Sequence, residues 1–120
     1  MKCISIKPEF VTEILEGSKT KEYRAWSTNY RGDLLIACTK TETSNPFICA
    51  VVKVVDCIKE NGVYAFILED VRAIKPLPVK GKQRIYNVDY SEEDIEVLYP
   101  NDVEYIDKVY NEADKWIVIS

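Results

Sequence analysis

The sequence predicts an α+β domain in which about six short strands form a sheet, with one early helix and two C-terminal helices. Apolar and alternating segments rich in β-branched residues recur from residue 2 to residue 90, and these are typical of strands. Helical spacing of apolar residues is confined to one segment after residue 7 and to the region after residue 90. With 120 residues and 47% hydrophobic content, the chain is predicted to form a single domain over residues 1–120.

The first predicted elements are a strand and a helix. KCISI (residues 2–6) alternates weakly and predicts a short strand. Pro8 suits the first turn of a helix, and the apolar residues that recur after it at helical spacing are Phe10, Val11, Ile14 and Leu15. Gly17 follows them and is expected to end the helix, because glycine adopts the left-handed C-terminal conformation without a Cβ penalty.

Alternation with a period of two begins at Thr20 and predicts a second strand as far as Trp26. It places Glu22 and Arg24 on one face together with Trp26, and Tyr23 on the other. Tyrosines at alternating strand positions are more often core residues than binding residues. We therefore expect Tyr23 to pack in the core.

Four further segments are predicted as strands, and they are DLLIACT (33–39), FICAVVKVVDCI (47–58), YAFILEDVRAIKPLP (64–78) and RIYNVDY (84–90). The second of them is nearly continuous in apolar residues and should be buried on much of both faces. The third is expected to bend near Glu69 and Asp70. A sheet of this length can curl into a small barrel, and an open mixed sheet covered by helices is the alternative.

The C-terminal region is predicted to be an acidic helical elaboration of the domain. Ser91, with Asp94 at the capping-box spacing, predicts one helix, a second is expected from Asn101, and KWIVIS (115–120) predicts a closing strand. Residues 91–120 hold nine Asp and Glu against two Lys, whereas the net charge of the whole chain is only −4. This segment is either a solvated face or a surface for a basic protein partner.

The composition excludes several kinds of chemistry. The chain has no histidine, so Ser-His-Asp and Cys-His nucleophile pairs are impossible, and proton transfer would need a carboxylate, Lys, Tyr or Cys. The four cysteines form no CxxC pair, which predicts reduced, packed thiols and neither a metal site nor a cofactor. Without an apolar run of about 20 residues or an export signal, the expected location is cytoplasmic and away from membranes.

The densest polar cluster is GSKTKEYR (17–24), at the junction of the predicted helix and the second strand. In a strand, the Cα atoms of Glu22 and Arg24 would lie about 6.7 Å apart with both side chains on one face. Arg24 offers a rigid fork of donors for phosphate or carboxylate oxygens, and Lys19 offers a mobile charge at the turn. Lys7 either faces the mouth of this site or lies on the surface. The alternative is a solvated ion pair of little energetic value.

The segment SIKPEFVTEILEGSKTKEYRAWSTNYRGDLLIACT resembles the start of an ASCH domain, a PUA-like family in which a short helix leads into a GxKxxExR motif and a YRG turn before an apolar strand. The matching positions are Gly17, Lys19, Glu22, Arg24, Tyr30, Arg31 and Gly32. YAFILEDVRAIKPLPVKGKQRIYNV also resembles the family's later strand, proline pair and glycine-containing loop. The resemblance implies a PUA-like β-barrel with a cleft where the early helix meets the barrel.

The same resemblance implies binding of RNA or of a nucleotide-like molecule in that cleft. Trp26 or Tyr30 would stack on a base, and Lys19, Arg24 or Arg31 would contact a phosphate.

An enzymatic role is the alternative to binding. One subgroup of the family comprises small amidohydrolases that act on acetylated cytidine, and Lys19 matches their lysine. Glu22 stands where that subgroup has threonine, and Glu69 is the available candidate for its distant glutamate. Lys19 and Glu22 could instead serve as the proton-transfer pair of a metal-independent hydrolase or nuclease. A protein-interaction module acting through the acidic C-terminal region is the third reading.

Overall fold

A computed structural model describes residues 1–42 and 44–98 of the chain. In chain order, the elements are β1 (Lys2–Ile6), α1 (Pro8–Glu16), β2 (Lys21–Arg24), β3 (Gly32–Cys38), β4 (Phe47–Glu60), β5 (Val63–Pro78), β6 (Ile85–Asn87) and a 3₁₀ turn (Glu92–Asp94). The strands form one sheet in the order β2-β5-β4-β3-β1-β6. Strands β1 and β3 pair in parallel, and the other neighbours pair antiparallel. The predicted α+β class, the early helix and the six strands are confirmed.

The sheet curls into a half-barrel because its two longest strands are irregular. Strands β4 and β5 span 14 and 16 residues, and their pairing shifts register at three places. Asp70 has a φ of 50°, which lies at the bend predicted near Glu69 and Asp70. Bulges of this kind bend a strand and increase its twist. The curled six-stranded sheet with one helix fits the small mixed barrel expected from the sequence.

Both faces of the central sheet are covered. Helix α1 buries Val11, Ile14 and Leu15 against one face, in a core that includes Phe47 and Phe66. A second cluster packs on the opposite face, and its buried members are Cys3, Leu35, Ala37, Ile48, Val51, Ile74 and Tyr86. Strand β3 contributes alternate residues to both clusters, as its continuous apolar sequence requires.

Helix α1 begins and ends at the residues that the sequence predicts. Pro8 occupies its first turn, where a missing N–H costs nothing. Gly17 has a φ of 87°, and its N–H donates to the Ile14 carbonyl at 3.1 Å. This left-handed residue turns the chain directly toward β2.

The helix predicted from Ser91 is wrong, although its capping signal is present. The Ser91 N–H donates to the Asp94 carboxylate at 2.8 Å, but only a single 3₁₀ turn follows, and Val97 forms a bridge with Ile74 of β5. The chain leaves the helical path because the exposed edge of β5 offers it backbone hydrogen bonds: the Leu98 N–H donates to Ala73 at 2.8 Å.

The helix predicted from Asn101 and the strand predicted over residues 115–120 lie outside the described residues, as does most of the acidic region. Among the residues that the structure describes, no helix has the length and apolarity needed to cross a bilayer.

Candidate ligand-binding cleft

Strand β2 carries the charged motif at one edge of the sheet. It pairs with β5, with Glu22 opposite Phe66 and Arg24 opposite Tyr64. Glu22 is buried and Arg24 half-buried, as expected for two residues on one strand face. Tyr23 lies between them in the strand and is 46% exposed, so the expectation that it packs in the core is wrong.

A concavity of about 390 Å³ opens where β1, α1 and β2 meet. We call it the β1–β2 cleft, and it is lined by Ser5, Ile6, Lys7, Phe10, Glu22, Tyr23, Arg24 and Thr39. Its volume lies within the range of small-molecule sites, about 300 to 1,000 Å³. Of the candidate residues, Lys7, Glu22 and Arg24 therefore line one cavity.

The Glu22 carboxylate is a buried charged group in the lining of the cleft. Its side chain is 9% exposed, and it lies 3.9 Å from the Lys19 ammonium and 3.7 Å from the Arg24 guanidinium. Both contacts are longer than a hydrogen bond. Within the described part of the chain, Glu22 Oε2 is buried and has no hydrogen-bond partner. A buried carboxylate oxygen in this state is open to a donor brought by a ligand.

Arg24 and Lys19 are each held in place by the fold. The Arg24 guanidinium donates to the Ser5 main-chain oxygen at 2.9 Å. The Lys19 backbone N–H donates to the Glu13 carbonyl at 3.1 Å, which attaches Lys19 to the end of α1. The Lys19 ammonium lies over two aromatic rings, 5.1 Å from the Phe10 centroid and 5.5 Å from the Tyr23 centroid. Lys19 itself is not part of the cleft lining, but its ammonium contacts the lining residues Phe10 and Tyr23.

Tyr23 is anchored at its hydroxyl. It donates to Glu60 at 3.2 Å, and the Lys21 ammonium donates to the same carboxylate at 2.7 Å. The hydrogen bond with Glu60 raises the pKa of Lys21, and the one with Lys21 lowers the pKa of Glu60. The Tyr23 ring is therefore presented at the cleft with its far end fixed.

Besides Lys19, three candidate residues lie outside the cleft lining. The Trp26 ring packs edge-on against Phe66, with centroids 5.1 Å apart, because β2 ends at Arg24 and the chain bends before Trp26. The Tyr30 hydroxyl donates to the Asp33 carbonyl. Arg31 pairs with Asp56 at 3.5 Å. These three side chains stabilise the turn between β2 and β3 and the edge of the core.

Sequence reasoning missed the two exposed aromatic residues of the cleft. Phe10 belongs to the apolar residues at helical spacing in α1, yet it is 40% exposed. It lies only two residues after Pro8, at the end of the helix that adjoins β1. For Tyr23, the sequence signal for an exposed position was its place next to Glu22 in a short strand that follows a turn.

The cysteines are placed as packed thiols. Cys3, Cys38 and Cys49 are buried and Cys57 is half-buried, and all four are free. Burial raises the pKa of Cys3 to about 11 and that of Cys49 well above its ordinary value. Residues 1–42 and 44–98 contain no cluster of three or more Cys, Asp or Glu side chains suited to a metal ion.

Comparison with known proteins places this architecture in a family. The ASCH domain family model matches residues 4–116. Among solved structures, the chain is similar to the ZmASCH Y47F mutant protein from Zymomonas mobilis, with a TM-score of 0.59 and 17% sequence identity over 72% of this chain and 88% of that one. A search of curated protein sequences found no match. With nearly its whole length matched and the same fold in a solved relative, the chain belongs to the ASCH domain family.

Proposed function

We propose that this ASCH domain binds RNA or a nucleotide in the β1–β2 cleft, with Glu22 as the acceptor for the base. The observation that carries the proposal is the buried Glu22 Oε2, which has no hydrogen-bond partner within the described residues and belongs to a side chain that lines the cleft. Guanine, adenine and cytosine each carry N–H donors on their Watson–Crick edge. Such a donor would form a hydrogen bond with Glu22 Oε2.

The charges around the cleft suit a phosphate. Lys7 and Arg24 line the cleft with Glu22, and the Lys19 ammonium lies 3.9 Å from the Glu22 carboxylate, so cations exceed the anion locally. One guanidinium nitrogen of Arg24 is held by Ser5, which fixes the group's orientation. A preorganised guanidinium and lysine ammonium groups are typical phosphate ligands.

The exposed aromatic rings suit a base. Phe10 and Tyr23 both contact the Lys19 ammonium, and both line the cleft. Bases stack on such rings with little dependence on sequence, at about 1 to 3 kcal/mol per base. Phe10 and Tyr23 therefore take the role expected of Trp26 and Tyr30.

The test is the affinity for nucleoside monophosphates and for short single-stranded RNA at low salt, measured by calorimetry. Glu22→Gln should lower affinity by about 10-fold to 100-fold, because the amide is an uncharged, weaker acceptor and replaces one carboxylate oxygen by a donor. Glu69→Gln is the matched control, since Glu69 is exposed on β5 outside the cleft lining, and it should leave affinity unchanged. Absence of binding, or equal affinity of Glu22→Gln and the unaltered protein, would reject the proposal.

A second candidate function is hydrolysis of RNA or a modified nucleoside. It is favoured by the distance of 3.9 Å between the Lys19 ammonium and Glu22 Oε1, at side-chain exposures of 15% and 9%. An amine and a carboxylate at this distance can pass a proton between them and a substrate. Lys19→Ala should then abolish turnover while ligand still binds. Turnover that survives in Lys19→Ala would exclude this role.

A further inference from the structure

A second concavity, of about 490 Å³, lies beside the loop that follows β5. We call it the loop pocket, and it is lined by Asn45, Pro46, Pro78, Val79, Lys80 and Gly81. A Cβ atom on Gly81 would lie 3.4 Å from Ser5 Oγ, and Ser5 lines the cleft. Gly81 and Ser5, one from the lining of each cavity, are therefore neighbours.

The loop pocket continues into a third hollow. Pro78, Val79 and Lys80 also line a concavity of about 400 Å³, together with Lys82 and Tyr90 among others. Lys80 thus stands between two neighbouring hollows. The loop pocket and this hollow are contiguous, because they share three lining residues.

The lining of the loop pocket combines features that suit a nucleotide. Pro46 and Pro78 present apolar rings, and Asn45 carries an amide with both donor and acceptor groups. Lys80 and Lys82 are exposed, and neither has an ion-pair partner in the portion of the chain that the structure describes. By contrast, Lys19 and Arg24 of the cleft are both paired with Glu22.

The loop that carries these lysines is fastened to the sheet beside the cleft. The Tyr86 hydroxyl lies 2.7 Å from Ser5 Oγ, and the Val79 N–H donates to the Pro46 carbonyl at 3.3 Å. The Tyr90 hydroxyl donates to the Pro78 carbonyl at 2.6 Å. A loop fixed in this way loses little entropy when it binds a ligand.

We infer that the loop pocket is a second nucleotide subsite, so that the ligand is a single-stranded oligonucleotide running from the β1–β2 cleft over Lys80 and Lys82. The inference rests on the proposed function, since the cleft holds the first nucleotide. One base occupies the cleft beside Glu22, the next lies on the proline rings of the loop pocket, and the lysines contact the phosphates. Lys80 and Lys82 then contribute to affinity only for ligands longer than one nucleotide.

The test compares a nucleoside monophosphate with a mixed-sequence single-stranded RNA pentamer over a salt series. Lys80→Ala/Lys82→Ala should weaken pentamer binding and lower the slope of log affinity against log salt by about 1.4, since each phosphate contact to a single strand contributes about 0.7. Monophosphate affinity should not change. The matched control is Lys53→Ala/Lys59→Ala, which removes the same charge from exposed positions of β4.

The outcomes separate this inference from the proposed function. Selective loss for the pentamer in Lys80→Ala/Lys82→Ala supports the second subsite. If the pentamer binds no more tightly than the monophosphate, or if both double variants weaken it equally, the subsite is rejected while the cleft remains. If neither ligand binds the unaltered protein, the proposed function fails and the subsite fails with it.

Discussion

The guanidinium of Arg24 donates to the main-chain oxygen of Ser5 at 2.9 Å, which joins β2 to β1 across the open side of the curled sheet. In the sheet order these strands are separated by β5, β4 and β3. One side chain therefore closes the half-barrel next to the cleft and also lies 3.7 Å from Glu22. Arg24 has a structural role as well as its proposed role in binding.

Arg24→Ala is expected to lower the free energy of unfolding by about 1 to 2 kcal/mol, because a hydrogen bond from a charged donor is lost at a half-buried position. Urea denaturation measures this change. Lys53→Ala, at an exposed position of β4, should stay within about 0.5 kcal/mol of the unaltered protein. If Arg24→Ala proves as stable as the control, the bond to Ser5 does not hold the sheet closed.

This double role explains why Glu22→Gln tests binding more cleanly than Arg24→Ala. The motif itself was identified from the sequence, because alternation with a period of two places Glu22 and Arg24 on one face wherever the strand begins. Their partner Ser5 could not be identified. The contact depends on how far the sheet curls, and the curl arises from register shifts between β4 and β5 that alternation does not encode.

Phe10→Ala and Tyr23→Ala should each weaken nucleotide binding by about 5-fold to 100-fold, since each removes a ring available for stacking. Tyr23→Phe should keep the affinity within a few-fold, because the ring remains although its bond to Glu60 is lost. Trp26→Phe, which alters packing on Phe66, should leave affinity unchanged. Calorimetric titration ranks the four variants by their nucleotide affinity. A loss of affinity confined to Trp26→Phe would contradict the stacking role of Phe10 and Tyr23.

The sequence pattern does not predict which aromatic residues line the cleft. An apolar stripe on α1 predicts which residues are buried, and it does so for Val11, Ile14 and Leu15. Phe10 lies beside that stripe, and whether it faces the core or a cleft depends on how the helix docks on the sheet. Trp26 was assigned to the site because the strand was extended two residues too far.

The C-terminal region shows a different limit. The bond between Ser91 and Asp94 forms as the local sequence indicates, yet the helix does not continue, because β5 offers hydrogen bonds to the following residues. A strand edge that is distant in sequence competes with the local helix signal. The residues around Ser91 encode the helix signal alone and carry no information about that edge.

Alkaline pH is expected to destabilise the fold. Burial raises the pKa of Cys3 from 9.0 to about 11 and that of Tyr86 from 10.0 to about 12. The unfolded chain ionises these groups first, so the stability they contribute is complete below pH 9 and is lost as the pH rises toward 12. Urea denaturation at about pH 8 and about pH 10.5 measures the decline. In Cys3→Ala the free energy of unfolding should decline less between these pH values. An equal decline would show that ionisation of Cys3 is not a cause.

The most direct test of the central claim is a titration of the ¹⁵N-labelled protein with a nucleoside monophosphate, followed by the backbone amide shifts. If the β1–β2 cleft is the binding site, saturable shifts should concentrate at Lys7, Phe10, Glu22, Tyr23 and Thr39, and Glu22→Gln should reduce them at the same ligand concentration. Shifts confined to residues outside the cleft, or no shifts at low salt, would contradict the claim.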